Sequence, residues 1–137
     1  MEQRSSTPIA ARLGFKPGMR VWFHAMPAAI RTAIAPERAA LEELDCATDG
    51  VQAVHLFASQ RDHLERELGA LRALLASNGF CWVSWPDAPA GGDLNREVVA
   101  GLAAAHGWAE SDRCALDGWA GVRLTPVERA HIGTTPE

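Results

Sequence analysis

The side chains that could carry chemistry are scattered through this sequence, and two histidines are the first to consider. His24 and His55 each stand near the end of a predicted β-strand, in VWFH and VQAVHLF. If these strands are adjacent and parallel, both imidazoles lie at the carboxyl edge of the sheet, where open α/β sheets bind ligands. Cys46 is the nearest further metal ligand in sequence, but the chain has no CxxC or HxxxH spacing. We therefore predict no metal site and expect two partly buried histidines bonded to backbone or water.

The cysteines are the second group of reactive side chains. Cys46, Cys81 and Cys114 are odd in number and widely spaced, which argues against a structural disulfide framework. Cys81 and Cys114 fall in predicted strands and are expected to be small core residues. Cys46 stands beside Asp45 in a predicted loop, where a thiol would be exposed and open to oxidation. A cysteine-based redox response at Cys46 is therefore one functional hypothesis.

Tryptophan is frequent for a chain of this length, with five residues. Trp85 and Trp119 lie near predicted loops, close in sequence to Asp87 and Asp117. Two interpretations remain open. Either the indoles pack in the core and donate their N–H groups locally, or they line a pocket or protein interface. The residues of that candidate pocket are His24, His55, Trp85, Asp117 and Trp119.

A strand–helix–strand unit over residues 51–85 must position these side chains. Val51–Phe57 is mostly apolar and includes β-branched residues, as in a strand covered on both faces. The following helix is expected to begin with Ser59 as its N-cap and to carry a leucine stripe. Asn78 and Gly79 are expected to end it in a left-handed conformation. A second strand, Phe80–Trp85, then predicts parallel pairing through a right-handed crossover. The leucines of the stripe are Leu64, Leu68, Leu71 and Leu75.

The rest of the chain completes a single α/β domain. Residues 36–45 have helical propensity but equally fit a short edge strand near 41–44. We expect a disordered tail over 1–6, one domain over 7–125 and a second tail over 126–137. Before the central unit we predict a helix from Thr7 to Leu13, a strand at Val21–His24 and a helix after Met26. After it, Asp93 is predicted to cap a helix that carries Leu94, Val98, Leu102 and Ala105 on one side. Strands at 113–116 and 119–124 then follow, joined by an Asp117–Gly118 turn.

Composition narrows the class of function. The chain has 137 residues and a net charge of −4, without a basic stripe, which argues against general nucleic-acid binding. Lys16 is the only lysine and tyrosine is absent, so mechanisms that need a tyrosine acid are excluded. We find neither an apolar run long enough to cross a membrane nor a secretory signal, and expect a cytoplasmic protein without membrane partners.

Three segments carry a resemblance to a known family. They are TPIAARLGFKPGMRV, VHLFASQRDHLERELGALRALLASNGFCWVSWP and ALDGWAGVRL, and together they cover most of residues 7–124. In order and spacing they resemble the uncharacterised bacterial proteins grouped as domain of unknown function 3052. The middle segment and the final hairpin are also similar to the later half of Rossmann-like methyltransferases. This likeness implies a reduced three-layer sheet of about five to six mostly parallel strands with an antiparallel C-terminal hairpin. It implies the strand order first strand, 51–57, 80–85, last strand, 113–116.

The turn after the first strand decides between the functional hypotheses. Cofactor-binding domains of this type need glycines there, so that the backbone can approach the ligand. The turn is His24-Ala-Met-Pro-Ala-Ala29, without glycine, and Glu43 or Asp45 are the acidic candidates for ribose binding. We therefore expect no cofactor and no catalytic residue, and favour a non-catalytic domain that associates with another protein or with itself. The alternative is a diverged small-molecule- or nucleotide-binding domain, or a methyltransferase-like enzyme, with its site at the strand ends near His24, His55 and Trp85.

Overall fold

The computed structural model describes residues 9–87, 93–116 and 118–127. The tail predicted over 1–6 and nearly all of the tail predicted from 126 lie outside these residues. The helices are α1 (Ile9–Arg12), α2 (Ala28–Ile34), α3 (Arg61–Leu74) and α4 (Arg96–Ala105), and the strands are β1 (Arg20–His24), β2 (Glu42–Glu43), β3 (Val51–Phe57), β4 (Leu75–Pro86), β5 (Trp108–Leu116) and β6 (Trp119–Pro126).

These strands form one mixed sheet in the order β2-β1-β3-β4-β6-β5. β1, β2, β3 and β4 pair in parallel, and β6 runs antiparallel to both β4 and β5. The predicted fold class and strand order are confirmed. The alternation of apolar strands with helices requires parallel pairing for the first part of the chain, and the short final connection allows an antiparallel hairpin.

Residues 36–45, which fitted either a helix or an edge strand, form a turn followed by the short strand β2. Ala35 and Ala40 have φ values of 51° and 61°, which interrupt a helix at both ends of this segment. The backbone N–H of Glu42 then donates to the carbonyl of Met19 at 2.9 Å, and Glu43 lies in register with Val21. The edge-strand interpretation is therefore the one that holds.

The central unit β3–α3–β4 is present as predicted, but both ends of α3 differ. Gln60, not Ser59, occupies the N-cap and makes no side-chain cap bond. Instead, Asp93 Oδ1 accepts a hydrogen bond of 2.6 Å from the Arg61 N–H, from a loop distant in sequence. At the other end β4 begins directly at Leu75, five residues earlier than expected, and Gly79 does not have a positive φ.

Glycine at position 79 serves close packing and not helix termination. A Cβ there would lie 2.7 Å from Leu75 Cγ and 2.8 Å from the backbone oxygen of Gln52 on β3. The same region contains an irregular register between Val51 and Ala53, where β4 bends against β3. The prediction of a left-handed helix end at Asn78–Gly79 was therefore wrong, because a glycine signal alone does not distinguish a turn from a close backbone approach.

Two apolar layers cover the sheet. On one face, Leu64, Leu68 and Leu71 of α3 pack with Leu102 of α4 and with Val83 of β4. The other face packs against α1 and α2. The predicted stripe of α4 was partly wrong, because the helix begins at Arg96 and Asn95 caps it through the Val98 N–H at 2.9 Å. Because α4 begins at this position, a different set of its residues faces the core: Val99, Leu102 and Ala103 are buried, whereas Ala105 is exposed.

The C-terminal hairpin is longer than predicted. β5 begins at Trp108, and β6 continues to Pro126. Most of β5 is exposed, and its register shifts between Glu110 and Asp112. Gly118 in the connection has a φ of 80°, as a tight hairpin turn requires. Among the described residues, every helix is too short or too polar to cross a membrane.

Candidate functional site

The strand order places a topological switch point between β1 and β3. From β1 the chain passes through α2 to β2 on one side, whereas from β3 it passes through α3 to β4 on the other. The two connections diverge above the carboxyl ends of β1 and β3, at His24 and Phe57. Open α/β sheets bind ligands in the crevice that such a divergence creates. We call this crevice the switch point.

The turn that follows β1 at the switch point is tight and lacks glycine. Ala25 has a φ of 58°, and Pro27 precedes α2 in an extended conformation without a side-chain cap bond. A non-glycine residue in the left-handed region is uncommon and costs strain. The backbone therefore turns sharply here, as in cofactor-binding domains, but with a Cβ where those domains carry a glycine.

Glu43, at the end of β2, is engaged by a neighbouring arginine. Arg31 Nη1 and Nη2 donate to the two carboxylate oxygens of Glu43 at 2.8 Å and 2.6 Å. This bidentate hydrogen bonding lowers the pKa of Glu43 and raises the pKa of Arg31, although burial opposes both shifts. The carboxylate proposed from sequence for ribose binding is thus already paired within the protein.

His24 contacts a helix and not the other predicted histidine. Its Nε2 lies 2.8 Å from Nε2 of His63 in α3, with ring centroids 4.8 Å apart. Trp22 lies beside His24, and the centroids of their two rings are 5.0 Å apart. Glu67, one helical turn after His63, places a carboxylate oxygen 3.9 Å from the same His63 nitrogen. This group was not among the predicted sites; the available signal was the i,i+4 spacing of His63 and Glu67.

His55 lies on the opposite face of the sheet from His24. In the β1–β3 register His55 is opposite Phe23, and His24 is opposite Leu56, so the two imidazoles point to different sides. His55 is completely buried, stacks on Phe57 at 4.2 Å and shares a hydrogen bond of 2.8 Å with Ser84 Oγ. Burial lowers the pKa of His55 from its ordinary value of 6.5 to about 3. His55 is therefore a neutral core residue.

Ser84 contacts His55 and a second polar side chain, and both contacts lie next to a glycine of the neighbouring strand. Ser84 and Cys114 both lie opposite Gly121 in the β4–β6–β5 register. A Cβ on Gly121 would lie 2.7 Å from Ser84 Oγ and 2.8 Å from Cys114 Sγ. Burial raises the pKa of Cys114 to about 11, and the hydrogen bond from Ser84 offsets this shift in part. Buried His55 and Ser84 and half-buried Cys114 thus form a row of polar side chains that only glycine at 121 permits.

The tryptophans of the candidate pocket also lie on different faces. Trp85 is 6% exposed and packs in the core layer of α3 and α4. Trp119 packs edge-on against Phe57 at 5.2 Å, in the layer of α1 and α2. Asp117 lies outside the described residues. The structure therefore does not gather the predicted residues into one pocket: His24 and Trp85 share one face of the sheet, and His55 and Trp119 share the other.

The cysteines are unpaired, and their environments differ. Cys46 is exposed, with its sulfur 4.0 Å from Thr48 Oγ1. Cys81 is buried in the core, and burial raises the pKa of its thiol. Cys46 is therefore the most accessible thiol of the three. Its proposed redox role stays a prediction.

A cavity of about 430 Å³ lies away from the predicted residues, between α1, α2 and the turn before β2. Its walls are mainly alanine, with Phe15, Ile34 and Arg38. Such a lining offers apolar contact but few polar groups that could orient a ligand.

Comparison with known proteins supports the fold class and leaves the family open. No family model matches the chain, so its resemblance to domain of unknown function 3052 stays a prediction. No curated protein matches in sequence either. Similar solved structures are, by contrast, numerous, and several of them are methyltransferases.

Three such structures illustrate the match. The ribosomal protein L11 methylase of Lactobacillus delbrueckii subsp. bulgaricus has a TM-score of 0.58 at 10% identity, over 86% of this chain and 74% of that one. The 1,6-didemethyltoxoflavin-N1-methyltransferase of Burkholderia thailandensis has a TM-score of 0.59 at 13% identity, over 92% and 78%. A TehB-like SAM-dependent methyltransferase of Corynebacterium glutamicum has a TM-score of 0.53 at 8% identity, over 86% and 92%. The fold of this chain is thus the methyltransferase-like Rossmann fold.

Proposed function

We propose that this chain binds a small molecule of the adenosyl or nucleotide class at the switch point between β1 and β3. The carrying observation is the divergence of the two connections above His24 and Phe57. The fold supports the same class of ligand, since the Burkholderia enzyme of this fold holds S-adenosylhomocysteine. This is the alternative that the sequence left open, and the comparisons favour it over a non-catalytic domain.

The site departs from an ordinary cofactor site in two respects, and both shape the proposal. The Cβ of Ala25 occupies the turn where glycine would allow close backbone approach. Arg31 holds Glu43 with two hydrogen bonds, so a ribose hydroxyl would compete with a bidentate ion pair. We therefore propose binding without assigning a methyl-transfer reaction or a catalytic residue.

The same two observations favour a second candidate. A domain that has this fold but cannot bind a cofactor at the turn after β1 would act by association, either with a protein partner or with a second copy of itself. The engaged Glu43 carboxylate is the specific observation in its favour. The two candidates differ in whether a small molecule stabilises the folded chain.

Calorimetric titration of the purified chain with S-adenosylmethionine, S-adenosylhomocysteine, ATP and NAD separates these candidates. A ligand at a hundredfold excess over its Kd should add about 2.7 kcal/mol to the free energy of unfolding. For a chain of this size that corresponds to a rise in Tm on the order of 10 °C. Absence of heat and of a Tm shift with all four ligands would refute the proposal, and a concentration-dependent mass in sedimentation would then support association.

A pair of matched substitutions locates the binding. Ala28→Glu places a charged side chain at an exposed position where α2 begins, beside the switch point. Ala100→Glu makes the same change at an exposed position of α4. We expect Ala28→Glu to abolish ligand binding and Ala100→Glu to leave the affinity unchanged. Equal affinities in the two variants would place any binding elsewhere on the molecule.

A further inference from the structure

Three side chains at the carboxyl end of β1 and in the first two turns of α3 converge on one point. His24 and His63 bring their Nε2 atoms within 2.8 Å, and a Glu67 oxygen lies 3.9 Å from the His63 nitrogen. All three donor atoms lie within 4.8 Å of one another. Over the part of the chain that the structure describes, this is the one group of three such residues. We call it the His–His–Glu cluster.

The spacing of the cluster suits a bound divalent ion. Zn²⁺ binds histidine nitrogen and carboxylate oxygen at roughly 2.0–2.2 Å, so two tetrahedral ligands lie about 3.3–3.6 Å apart. The contacts of 2.8 Å and 3.9 Å bracket that value. Small side-chain rotations would bring the donors to ligand positions, because His63 and Glu67 lie on one face of α3 at i,i+4.

The chemistry of the donors also selects the kind of ion. Two imidazoles and one carboxylate form a nitrogen-rich set, which suits first-row transition metals such as Zn²⁺ and is poor for Mg²⁺ or Ca²⁺. The side chains of His63 and Glu67 are 31% and 24% exposed, so an ion could reach them from solvent. Trp22 closes one side of the cluster at 5.0 Å from the His24 ring.

We propose that the His–His–Glu cluster is a metal site for Zn²⁺ or a similar first-row dication, with three protein ligands and one open position. Sites of this composition keep a position for water or for an oxygen atom of a bound molecule. His24 is the last residue of β1, so the cluster lies beside the switch point. The inference does not depend on the adenosyl ligand, because the metal is tested alone.

A second histidine–glutamate pair in the chain serves as the control for this proposal. On the same helix, Glu65 pairs with His106 at 3.2 Å, and both are partly exposed. This pair has one histidine and one carboxylate but no second histidine. If histidine–glutamate proximity alone were sufficient to capture the ion, the His106–Glu65 pair would bind it as well.

The test is a titration of the full, chelator-stripped chain with Zn²⁺ and Co²⁺. We expect one Zn²⁺ per chain and a Co²⁺ complex with the intense visible absorption of a four- or five-coordinate ion. His63→Ala and His24→Ala should each weaken Zn²⁺ binding about 100-fold or more, because even indirect partners of a metal ligand contribute 10- to 100-fold. His106→Ala should bind like the wild-type chain. Mg²⁺ should leave the Tm unchanged.

Glu67→Gln tests whether a loss of Zn²⁺ affinity comes from loss of a ligand or from loss of folding. It keeps the size and hydrogen-bonding capacity of the side chain but removes the charged ligand, so the metal-free Tm should stay near that of the wild type while Zn²⁺ affinity falls. Zn²⁺ affinities of His63→Ala and Glu67→Gln within twofold of the wild-type value would overturn the proposal. So would equal losses in His63→Ala and His106→Ala, or the weak absorption of an octahedral Co²⁺ complex. Failure of metal binding leaves the adenosyl titration unaffected, so the two proposals fail separately.

Discussion

Acidification should destabilise this protein through His55, which is charged only when the chain unfolds. Burial holds the pKa of His55 at about 3 in the folded chain, against an ordinary value of 6.5. Between these pH values the unfolded chain binds a proton at this site and the folded chain does not. The stability contributed by the neutral imidazole is therefore complete above pH 6.5 and is lost as the pH falls towards 3.

The magnitude follows from the difference in proton binding. Each pH unit within this window removes about 1.4 kcal/mol from the free energy of unfolding. Between pH 7 and pH 4.5 the loss from His55 alone is about 2.5 kcal/mol. For a domain with a total stability of roughly 5–15 kcal/mol, this loss is large enough to measure by denaturation.

Urea denaturation of the wild type and of His55→Gln across pH 7 to 4.5 isolates this contribution. Glutamine stays neutral throughout, and the carboxylates that titrate in both proteins cancel in the difference. We expect the difference between the two free energies of unfolding to change by about 1.4 kcal/mol per pH unit below pH 6.5. Ser84→Ala serves as the control: it removes the 2.8 Å hydrogen bond but keeps the buried imidazole. Its curve should run parallel to that of the wild type, about 1–3 kcal/mol lower.

If the curves of the wild type and His55→Gln stay parallel down to pH 4.5, the reasoning is refuted. His55 would then either titrate alike in both states or be reached by water in the folded chain.

Three further outcomes follow from contacts described above. Gly121→Ala should lower the free energy of unfolding by about 1–3 kcal/mol, because its Cβ would overlap the side chains of Ser84 and Cys114. Asp93→Ala should lower it by about 1 kcal/mol through loss of the cap on α3. Iodoacetamide at pH 8 should alkylate exposed Cys46 in the folded chain much faster than buried Cys81 and half-buried Cys114, whose pKa is raised to about 11, as measured by mass spectrometry of peptides.

Each of these outcomes has an internal control. Ser59→Ala changes the residue that sequence alone marks as the cap, and should leave stability unchanged, whereas Asp93→Ala should not. A larger loss with Ser59→Ala would reverse the assignment of the cap. The double variant Gly121→Ala with Ser84→Ala should recover part of the stability lost in Gly121→Ala. Cys46→Ser should abolish the fast alkylation, and equally fast labelling of this variant would show that Cys81 or Cys114 is as accessible as Cys46.

The sheet could be predicted because it rests on local patterns. Val51–Phe57 is mostly apolar, the α3 leucines recur at helical spacing, and the hairpin turn carries Gly118. Each pattern spans a few adjacent residues and therefore identifies an element without knowledge of its neighbours. The two-residue strand β2 carries no such pattern, since its pairing with β1 depends on backbone hydrogen bonds alone.

The features that sequence reasoning missed are contacts between distant segments. Asp93 caps a helix that begins 32 positions earlier in the chain. Gly79 is required by the approach of Gln52 on the neighbouring strand. Nothing in the local sequence around either residue indicates these partners, because tertiary packing determines them.

The candidate site was predicted in part. His24 lies at the carboxyl end of β1, as predicted, but its contact with His63 was not predicted. Residues that alternate along a strand point to opposite faces, so a one-residue difference in register separates His24 from His55. The i,i+4 pair of His63 and Glu67 was visible in the sequence, and only the packing of α3 on β1 brings it to His24.

The two edges of the sheet limit how copies of this chain could meet. One edge is β2, with only two residues, both of them exposed glutamates. The other is β5, whose ladder shifts register between Glu110 and Asp112 and which is mostly exposed along its length. Short, charged or bulged edges resist pairing with a strand of another molecule. Over the described residues, a self-associating form would therefore join through its helical layers, and growth of the sheet into fibrils is opposed at both ends.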